Sequence, residues 1–204
     1  MIVRNEERHI ARCLKSVQDV VDEMIIVDTG STDRTVDICH SFGASVVFYR
    51  WEDDFAAARN AGIEKAAGEW ILWLDADEEV EPEDRWTLRE ALLMPEHRLL
   101  SVDTIHYYGE TLDPGLTYSL RQIRLFRRGC GFQFEGAAHE TLNVAKILTP
   151  EEQADQSQFL PVKLYHYGYM KSAAQEPGKR ERNLRFLKQE LERGNPQPWI
   201  YYHK

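Results

Sequence analysis

The stretch "WILWLDADEEV", residues 70–80, places a continuous apolar run directly before a group of carboxylates. An uninterrupted apolar run is typical of a strand that is buried on both faces, as in a parallel sheet covered by helices. Ligands of such sheets bind beyond the carboxyl ends of the strands. Asp75 and Asp77 follow the run with one residue between them, so both carboxylates can face one divalent cation. We therefore predict a ligand site at the end of this strand, and we interpret Glu78 and Glu79 as turn residues.

The residues before this stretch alternate in the same way between strand and helix patterns. Four apolar segments, "MIV", "EMIIVD", "ASVVFY" and "EWILWLD", are separated by amphipathic segments, the first of which has Asn5 as its predicted cap. This spacing predicts an α/β fold with a mostly parallel, Rossmann-like sheet flanked by helices. Asp28 ends the second strand and is expected at the same edge of the sheet as Asp75. The alternative for Asp28 alone is a capping role in the turn "GSTD".

The second half of the chain has a less regular pattern. A helix is predicted from Pro82, and strands are predicted at "LLSVDTIHYY", "YSLRQIRLFRR" and "PVKLYHYGYM". The segment "TPEEQADQSQ" is expected to be an exposed loop or a short helix. A charged amphipathic helix is predicted over 179–193. The first strand is short and aromatic residues follow the last predicted helix, so we expect the natural chain to continue at both ends.

The composition of the chain limits the classes of function that it can have. A chain of 204 residues with 43% hydrophobic residues is expected to fold around a sizeable core. Its net charge of −9 argues against nucleic acid and anionic membrane surfaces as partners. The sequence contains no apolar run of about 18 residues, so no transmembrane segment is predicted, while peripheral membrane association stays open. With no visible signal peptide, and with Cys13, Cys39 and Cys130 interpreted as small buried residues, a cytoplasmic location is expected.

Four segments carry a family resemblance. In their order and spacing, "MIVRNEE", "IIVDTGSTD", "DDFAAARNAG" and "GEWILWLDADE" resemble the family 2 glycosyltransferases of the GT-A fold. The resemblance is tight over 1–80 and looser through "FEGAAHE" and "LYHYGY". The chain looks most like the bacterial subgroup in which tetratricopeptide-like repeats follow the catalytic domain. We therefore expect a GT-A domain over 1–170, with a nucleotide-binding half (1–80) and an acceptor half (81–170), and a helical extension over 171–204.

The resemblance implies a nucleotide-diphosphate-sugar donor, with UDP expected, and a divalent cation, Mn²⁺ or Mg²⁺. The positions matching the nucleotide-sugar motifs are Val3, Arg4, Asn5, Glu6, Asp28, Thr29, Arg59, Asn60 and Asp75. Asp75 and Asp77 are the implied cation ligands. Thr29 departs from the commonest family motif, which has a second aspartate at this position.

Three residues of the acceptor half are further candidates. An inverting transferase needs a base that takes the proton of the acceptor, and Glu140 is the candidate, with His139 orienting the acceptor or sharing this role. The alternative for both is an exposed loop. His166 is implied as the third metal ligand, and its alternative is a packed residue of an aromatic strand. The histidines at positions 9, 40, 97, 106 and 203 are interpreted as structural.

Two other groups of residues have competing interpretations. Arg124, Arg127 and Arg128 either neutralise a diphosphate or form a charged edge strand. Trp70, Trp73 and Trp86 are expected in the core.

The predicted function is sugar transfer to a glycan, a lipid or a peptide. One alternative is a sugar nucleotidyltransferase, but "VRNEERH" lacks the glycines of a phosphate loop. The other is a catalytically idle binding module of a longer repeat protein.

Overall fold

The computed structural model describes residues 1–93 and 96–170, so the helix predicted at 179–193 and the extension predicted over 171–204 lie outside the described residues. In the described part, the strands are β1 (Ile2–Val3), β2 (Ile25–Asp28), β3 (Ser45–Phe48), β4 (Trp70–Leu72), β5 (Glu78–Val80), β6 (Leu99–Gly109), β7 (Thr117–Arg127), β8 (Phe134–Glu135), β9 (Thr141–Leu142) and β10 (Ser157–Met170). The helices there are α1 (Ile10–Val17), α2 (Thr35–Ser41), α3 (Phe55–Lys65), α4 (Arg85–Ala91), α5 (Val144–Ile147) and α6 (Pro150–Gln156), with a 3₁₀ turn at Pro82–Asp84. None of these helices is long and apolar enough to cross a membrane.

The strands form two larger sheets and a small hairpin. The parallel sheet has the order β1-β2-β3, and the mixed sheet has the order β4-β7-β6-β10-β5, with β8 and β9 paired separately. The α/β class is confirmed, but the predicted fourth parallel strand differs. It covers only Trp70–Leu72 and pairs antiparallel with β7. An apolar run identifies a buried strand without identifying its partner, and here the partner is an 11-residue strand of the second half.

The first helix begins later than the sequence predicts. Asn5 is not its cap, because α1 begins at Ile10 and follows His9. Asn5 instead adopts a left-handed backbone conformation with φ of 57°, and its Oδ1 accepts a hydrogen bond of 2.7 Å from the backbone N–H of Thr32. The helical spacing itself is confirmed, since α1 buries Ile10, Cys13, Leu14 and Val17.

Three buried clusters fill the space around the sheets. The first packs residues of α1 and α4, such as Val17 and Leu88, against the mixed sheet. The second joins Val3, Ile26 and Ala76, and the third lies beneath α3. Ala76 therefore fixes the loop after β4 beside β1, and this fixes its two neighbours, Asp75 and Asp77.

Several smaller predictions can be compared with the structure. Asp54, to which no role is assigned from the sequence, caps α3, because its Oδ1 accepts a 2.9 Å hydrogen bond from the N–H of Ala57. The segment "TPEEQADQSQ" contains a short helix, α6. The prediction that Trp86 lies in the core is wrong, because 69% of this residue is exposed. Cys13 and Cys39 are buried as expected, whereas Cys130 is half-buried.

Candidate active site

The loop after β4 carries Asp75 in a closely held position. The backbone N–H of Asp75 donates to Glu78 Oε2 over 2.8 Å, and the Cys13 thiol donates to the Asp75 carbonyl over 3.3 Å. The carboxylate accepts a 2.8 Å hydrogen bond from Arg59 Nη2. Burial by itself would raise the pKa of Asp75, but the positive charges of Arg59 and Arg124 outweigh it and hold this pKa below its usual value. Asp75 is therefore an ionised carboxylate at neutral pH.

Arg59 connects the two halves of the chain. Its side chain, 8% exposed, projects from α3 between Asp75 and Glu140, and its Nε donates to Glu140 Oε1 over 2.5 Å. The guanidinium also lies 4.9 Å from the ring centroid of Trp73. Burial opposes the charge of Arg59, but the two carboxylates outweigh this effect and raise its pKa. The Arg59 guanidinium thus holds both Asp75, a predicted nucleotide-site residue, and Glu140, the candidate base, although the two were predicted from distant segments.

The loop that carries Glu140 is anchored at β8, the strand that precedes it. Asn60, one residue after Arg59, bonds the backbone of Phe134 twice, donating to its carbonyl and accepting from its N–H, each over 2.9 Å. Both hydrogen-bonding groups of the Asn60 amide are therefore used in anchoring β8. His139 adopts a left-handed conformation with φ of 53°, and its side chain is exposed. The predicted contact of Asn60 with the nucleotide-sugar stays a prediction.

Asp77, the residue before β5, lies beside His166 of β10. His166 Nε2 lies 3.6 Å from Asp77 Oδ2, and the N–H of Tyr167 donates to the Asp77 carbonyl over 3.1 Å. Gly168, which has no side chain, lets Asp77 and His166 pack closely against its backbone. A methyl group on Gly168 would overlap Asp77 Oδ2 and would lie 2.8 Å from His166 Nε2. Two of the predicted metal ligands therefore meet at a space that only glycine provides.

These two side chains are a partial ligand set for a cation. Within residues 1–93 and 96–170, no three His, Cys, Asp or Glu side chains are grouped closely enough to hold a metal ion. Asp77 offers a carboxylate oxygen and His166 an imidazole nitrogen, while Asp75 is bound to Arg59. Hard divalent cations take such oxygen ligands and complete their coordination with phosphate oxygens and water. The arrangement fits a cation that is bound together with a diphosphate.

His106, on the neighbouring strand β6, lies next to His166. Their Nδ1 atoms are 3.0 Å apart, and the His106 ring stacks on Tyr118 with centroids 4.6 Å apart. Burial lowers the pKa of His106 to about 4, with the charges of His166 and Arg124 adding to the effect, so this ring is neutral at pH 7. His106 is a buried, packed residue, as its structural interpretation implies, and it also contacts the predicted ligand His166. The register of β6 and β10 places it opposite His166, and this register is not readable from the sequence.

Hydrogen bonds join the carboxyl ends of β1 and β2 at Val3, Asp28 and Thr29, which are predicted to contact the nucleotide. Asp28, 3% exposed, accepts hydrogen bonds of 3.1 Å from the N–H groups of Gly30 and Ser31. The turn-capping alternative for Asp28 is therefore the arrangement observed. The Thr29 N–H and hydroxyl both donate to the Val3 carbonyl, over 3.0 and 3.1 Å.

The segment after β1 is attached to α2 in the same way. The N–H of Glu6 donates to Thr35 Oγ1 over 2.7 Å, while the neighbouring Arg4 is exposed. Together these hydrogen bonds fix the segments that follow β1 and β2. They lie at the carboxyl ends of the two strands, which is where an α/β sheet binds its ligand. Contact of Val3, Asn5, Glu6, Asp28 and Thr29 with a nucleoside stays a prediction.

Comparison with known proteins assigns the family. The model of glycosyl transferase family 2 matches residues 1–143. The chain belongs to this family. A TPR repeat-containing protein of Synechococcus elongatus is 40% identical over 195 residues, covering 94% of this chain and 46% of that protein. The SPbeta prophage-derived glycosyltransferase SunS of Bacillus subtilis is 32% identical, covering 99% of this chain and 47% of that protein. The family 2 chain thus spans about half the length of the curated relatives it matches.

Solved structures agree with this assignment at the level of the fold. The crystal structure of TarS from S. aureus, spanning 1-349, superimposes with a TM-score of 0.57 at 15% identity, covering 92% of this chain and 62% of that one. TarS in complex with UDP-GlcNAc gives a TM-score of 0.56, covering 81% of this chain and 56% of that one. The predicted GT-A fold is confirmed.

Glu78 and Arg124 form a buried ion pair next to Asp75 that sequence reasoning missed. Glu78 is 1% exposed and accepts two hydrogen bonds from Arg124, of 3.0 and 2.7 Å. The interpretation of Glu78 and Glu79 as turn residues is wrong, because both lie in β5, where Glu78 also accepts a hydrogen bond from the Asp75 backbone. Both interpretations of Arg124 are also wrong, since its guanidinium is buried against Glu78 and Trp73.

The other two arginines of the predicted basic group lie elsewhere. Arg127 donates to the His97 carbonyl, and Arg128 donates to the carbonyls of Ala67 and Gly68. The three arginines therefore do not form one basic surface.

Proposed function

We propose that this chain is the catalytic domain of a divalent-cation-dependent glycosyltransferase that uses a nucleotide-diphosphate sugar, with UDP as the nucleotide. The observation that carries the proposal is the meeting of Asp77 and His166 beside Gly168, next to the Arg59-bound Asp75. A carboxylate and an imidazole 3.6 Å apart can provide ligands for a cation with its diphosphate. TarS, which shares the fold, has been crystallised with UDP-GlcNAc, and this supports the choice of nucleotide.

In the proposed reaction the acceptor oxygen attacks the anomeric carbon of the donor sugar. The bond from that carbon to the diphosphate oxygen breaks, and the diphosphate leaves with the bonding electrons, so the configuration at the anomeric carbon is inverted. A bound Mn²⁺ or Mg²⁺ would neutralise the charge that develops on this leaving group. The acceptor loses its proton to Glu140, whose Oε1 is oriented by Arg59. His139, on the exposed turn before Glu140, would orient the acceptor.

The acceptor is proposed as a class only, namely a glycan, a lipid or a peptide side chain. The helical extension proposed over 171–204 would link this domain to further repeats in a longer protein. A cytoplasmic location follows from the sequence pattern alone and stays a prediction.

Donor binding and donor hydrolysis test the proposal without a known acceptor. We expect UDP to bind more tightly with Mn²⁺ than without it in calorimetric titrations, and we expect Asp77→Ala to remove this difference. Glu140→Gln should keep metal-linked UDP binding and lose hydrolysis of the donor, in which water takes the place of the acceptor. If the wild-type chain binds UDP with no dependence on Mn²⁺, the idle binding module becomes the better assignment. If Asp77→Ala keeps full metal-linked binding, the site assignment is wrong.

A further inference from the structure

His106 and His166 share one proton across the mixed sheet. The register of β6 and β10 pairs the two residues, and their Nδ1 atoms are 3.0 Å apart. At this distance one nitrogen donates and the other accepts, because two lone pairs would repel each other. A neutral imidazole carries one N–H and one lone pair. The tautomer of each ring therefore fixes the tautomer of the other.

The second nitrogen of each ring has different surroundings. His166 Nε2 lies 3.6 Å from Asp77 Oδ2, at the proposed cation site. His106 Nε2 is buried and has no hydrogen-bond partner among the described residues. The position of the proton between the two Nδ1 atoms therefore decides whether His166 presents an N–H or a lone pair on the side of Asp77.

Only one of the two arrangements leaves His166 able to ligate a cation. If His106 donates at Nδ1, His166 carries its own proton on Nε2 and has no lone pair there for a metal. If His166 donates at Nδ1, its Nε2 lone pair is available as a ligand. His106 then accepts at Nδ1 and carries its proton on Nε2. Cation binding by His166 thus requires an acceptor at the place of His106 Nδ1.

The His106 ring is held in a fixed position by aromatic neighbours. It stacks on Tyr118 of β7 with centroids 4.6 Å apart and an interplanar angle of 15°. Tyr169 of β10 packs against it with centroids 5.5 Å apart. The residue is 5% exposed and lies on β6, which has a strand on each side. The acceptor atom beside His166 is therefore in place before any cation binds.

We propose that His106 is a positioning residue of the cation site. Its Nδ1 accepts the Nδ1–H of His166 and thereby keeps the Nε2 lone pair of His166 available to the cation. This inference rests on the proposed function, because it gives a partner to one of the two proposed ligands. Metal-ligating histidines in proteins donate their other N–H to a carboxylate, a carbonyl or water, and loss of that partner lowers metal affinity about 10–100-fold.

Two substitutions separate the acceptor atom from the packing of the ring. His106→Phe keeps an aromatic ring against Tyr118 and removes both nitrogens. His106→Asn removes the ring and keeps an acceptor, because its Oδ1 is bonded to Cγ as Nδ1 is in histidine. We expect the Kd for Mn²⁺, measured by calorimetry in the presence of UDP, to rise about 10–100-fold in His106→Phe and to stay near the wild-type value in His106→Asn. A role in packing alone predicts the opposite order.

Nitrogen NMR of the wild-type chain, labelled at histidine and saturated with Mg²⁺ and UDP, reads the tautomers directly. We expect His166 to carry its proton on Nδ1 and His106 to carry its proton on Nε2. This measurement needs no substitution and no acceptor, so it decides the inference even where a variant does not fold.

Three results would overturn the inference while the proposed function stands. They are an unchanged Kd for Mn²⁺ in His106→Phe, a larger loss of affinity in His106→Asn than in His106→Phe, and a proton on Nε2 of His166 in the loaded wild-type chain. Asp77→Ala is titrated in parallel to test the cation site itself. If the wild-type chain binds UDP with no dependence on Mn²⁺, the proposed function fails and this inference fails with it.

Discussion

Arg59 binds Asp75 and Glu140 at the same time, over 2.8 and 2.5 Å, although the two carboxylates are far apart in the sequence. Asp75 belongs to the loop after β4, and Glu140 belongs to the loop between β8 and β9. The guanidinium is a rigid fork that can hold two carboxylates in fixed directions. The relative position of the proposed donor site and the proposed base is thus set by one side chain of α3.

Replacing Arg59 should destabilise the fold as well as the site. Arg59→Gln leaves two carboxylates without their cation, and we expect the free energy of unfolding to fall by about 3 kcal/mol. This is the low end of the range for buried pairs, because 36% of the Asp75 side chain is exposed. Urea unfolding measures the change. As a control, Arg89→Gln breaks the pair with Asp22, whose side chains are 41% and 79% exposed, and should lower the free energy of unfolding much less than Arg59→Gln does. Equal losses for the two variants would contradict this account.

The adjacent acids Glu78 and Glu79 should respond very differently to the same substitution. Burial raises the pKa of Glu78 to about 8 although Arg124 opposes this effect, so above pH 8 Glu78→Gln leaves Arg124, 3% exposed at its side chain, as an uncompensated buried charge, and we expect a loss of about 3–5 kcal/mol. Glu79, 24% exposed, contacts Arg12 and the Tyr167 hydroxyl, so Glu79→Gln should cost about 1 kcal/mol. Urea unfolding of both variants decides the matter, and a similar loss for the two would show that Glu78 is not a buried structural charge.

These residues show which features of the site could be predicted from the sequence and which could not. Local patterns predicted the amphipathic segment that forms α1, because this pattern depends on residues within a few positions of one another. The burial of Glu78 depends on Arg124, which is 46 residues away. In the quoted stretch, Glu78 and Glu79 are identical in type, and only the pairing of β5 with β10 gives them different surroundings.

The long strands of the second half explain the remaining differences. β6 and β7 pair over most of their length, and β7 also takes β4 as its neighbour. Strand patterns predicted these elements, but pairing partners and register depend on contacts that are distant in sequence. For this reason His106 was not linked to His166, although Asp75, Asp77, Glu140 and His166 could be selected from motifs.

The amino group of Met1 should make stability depend on pH in the 204-residue chain. Its pKa is about 6 in the folded state and 8.0 ordinarily, because burial opposes the charged form. Between pH 8 and 6 the unfolded chain binds a proton that the folded chain does not, so stability falls as pH falls through this window. Below pH 6 both states are protonated and no further loss arises from this group.

Urea unfolding between pH 6 and 8.5 measures this effect, with an amino-terminally acetylated chain as the control. Histidines titrate alike in both forms, so the difference between the two profiles isolates the amino group. Acetylation should flatten the profile, and identical slopes would show that the amino group is solvated in the folded state.

Gly168 should control the affinity for the cation through Asp77 and His166, the two proposed ligands that pack against it. In Gly168→Ala, the added methyl group would overlap Asp77 Oδ2 and crowd His166 Nε2, so at least one of the two side chains must move. We expect the Kd for Mn²⁺, measured by calorimetry in the presence of UDP, to rise at least about tenfold, because metal sites lose affinity when their ligands are displaced. Gly68→Ala is the matched control. Its methyl group would lie 3.6 Å from the Trp70 carbonyl, an ordinary contact remote from the site, and Mn²⁺ affinity should not change. If Gly168→Ala binds Mn²⁺ as the wild-type chain does, Asp77 and His166 do not share a cation, and their 3.6 Å approach is an ion pair of the fold alone.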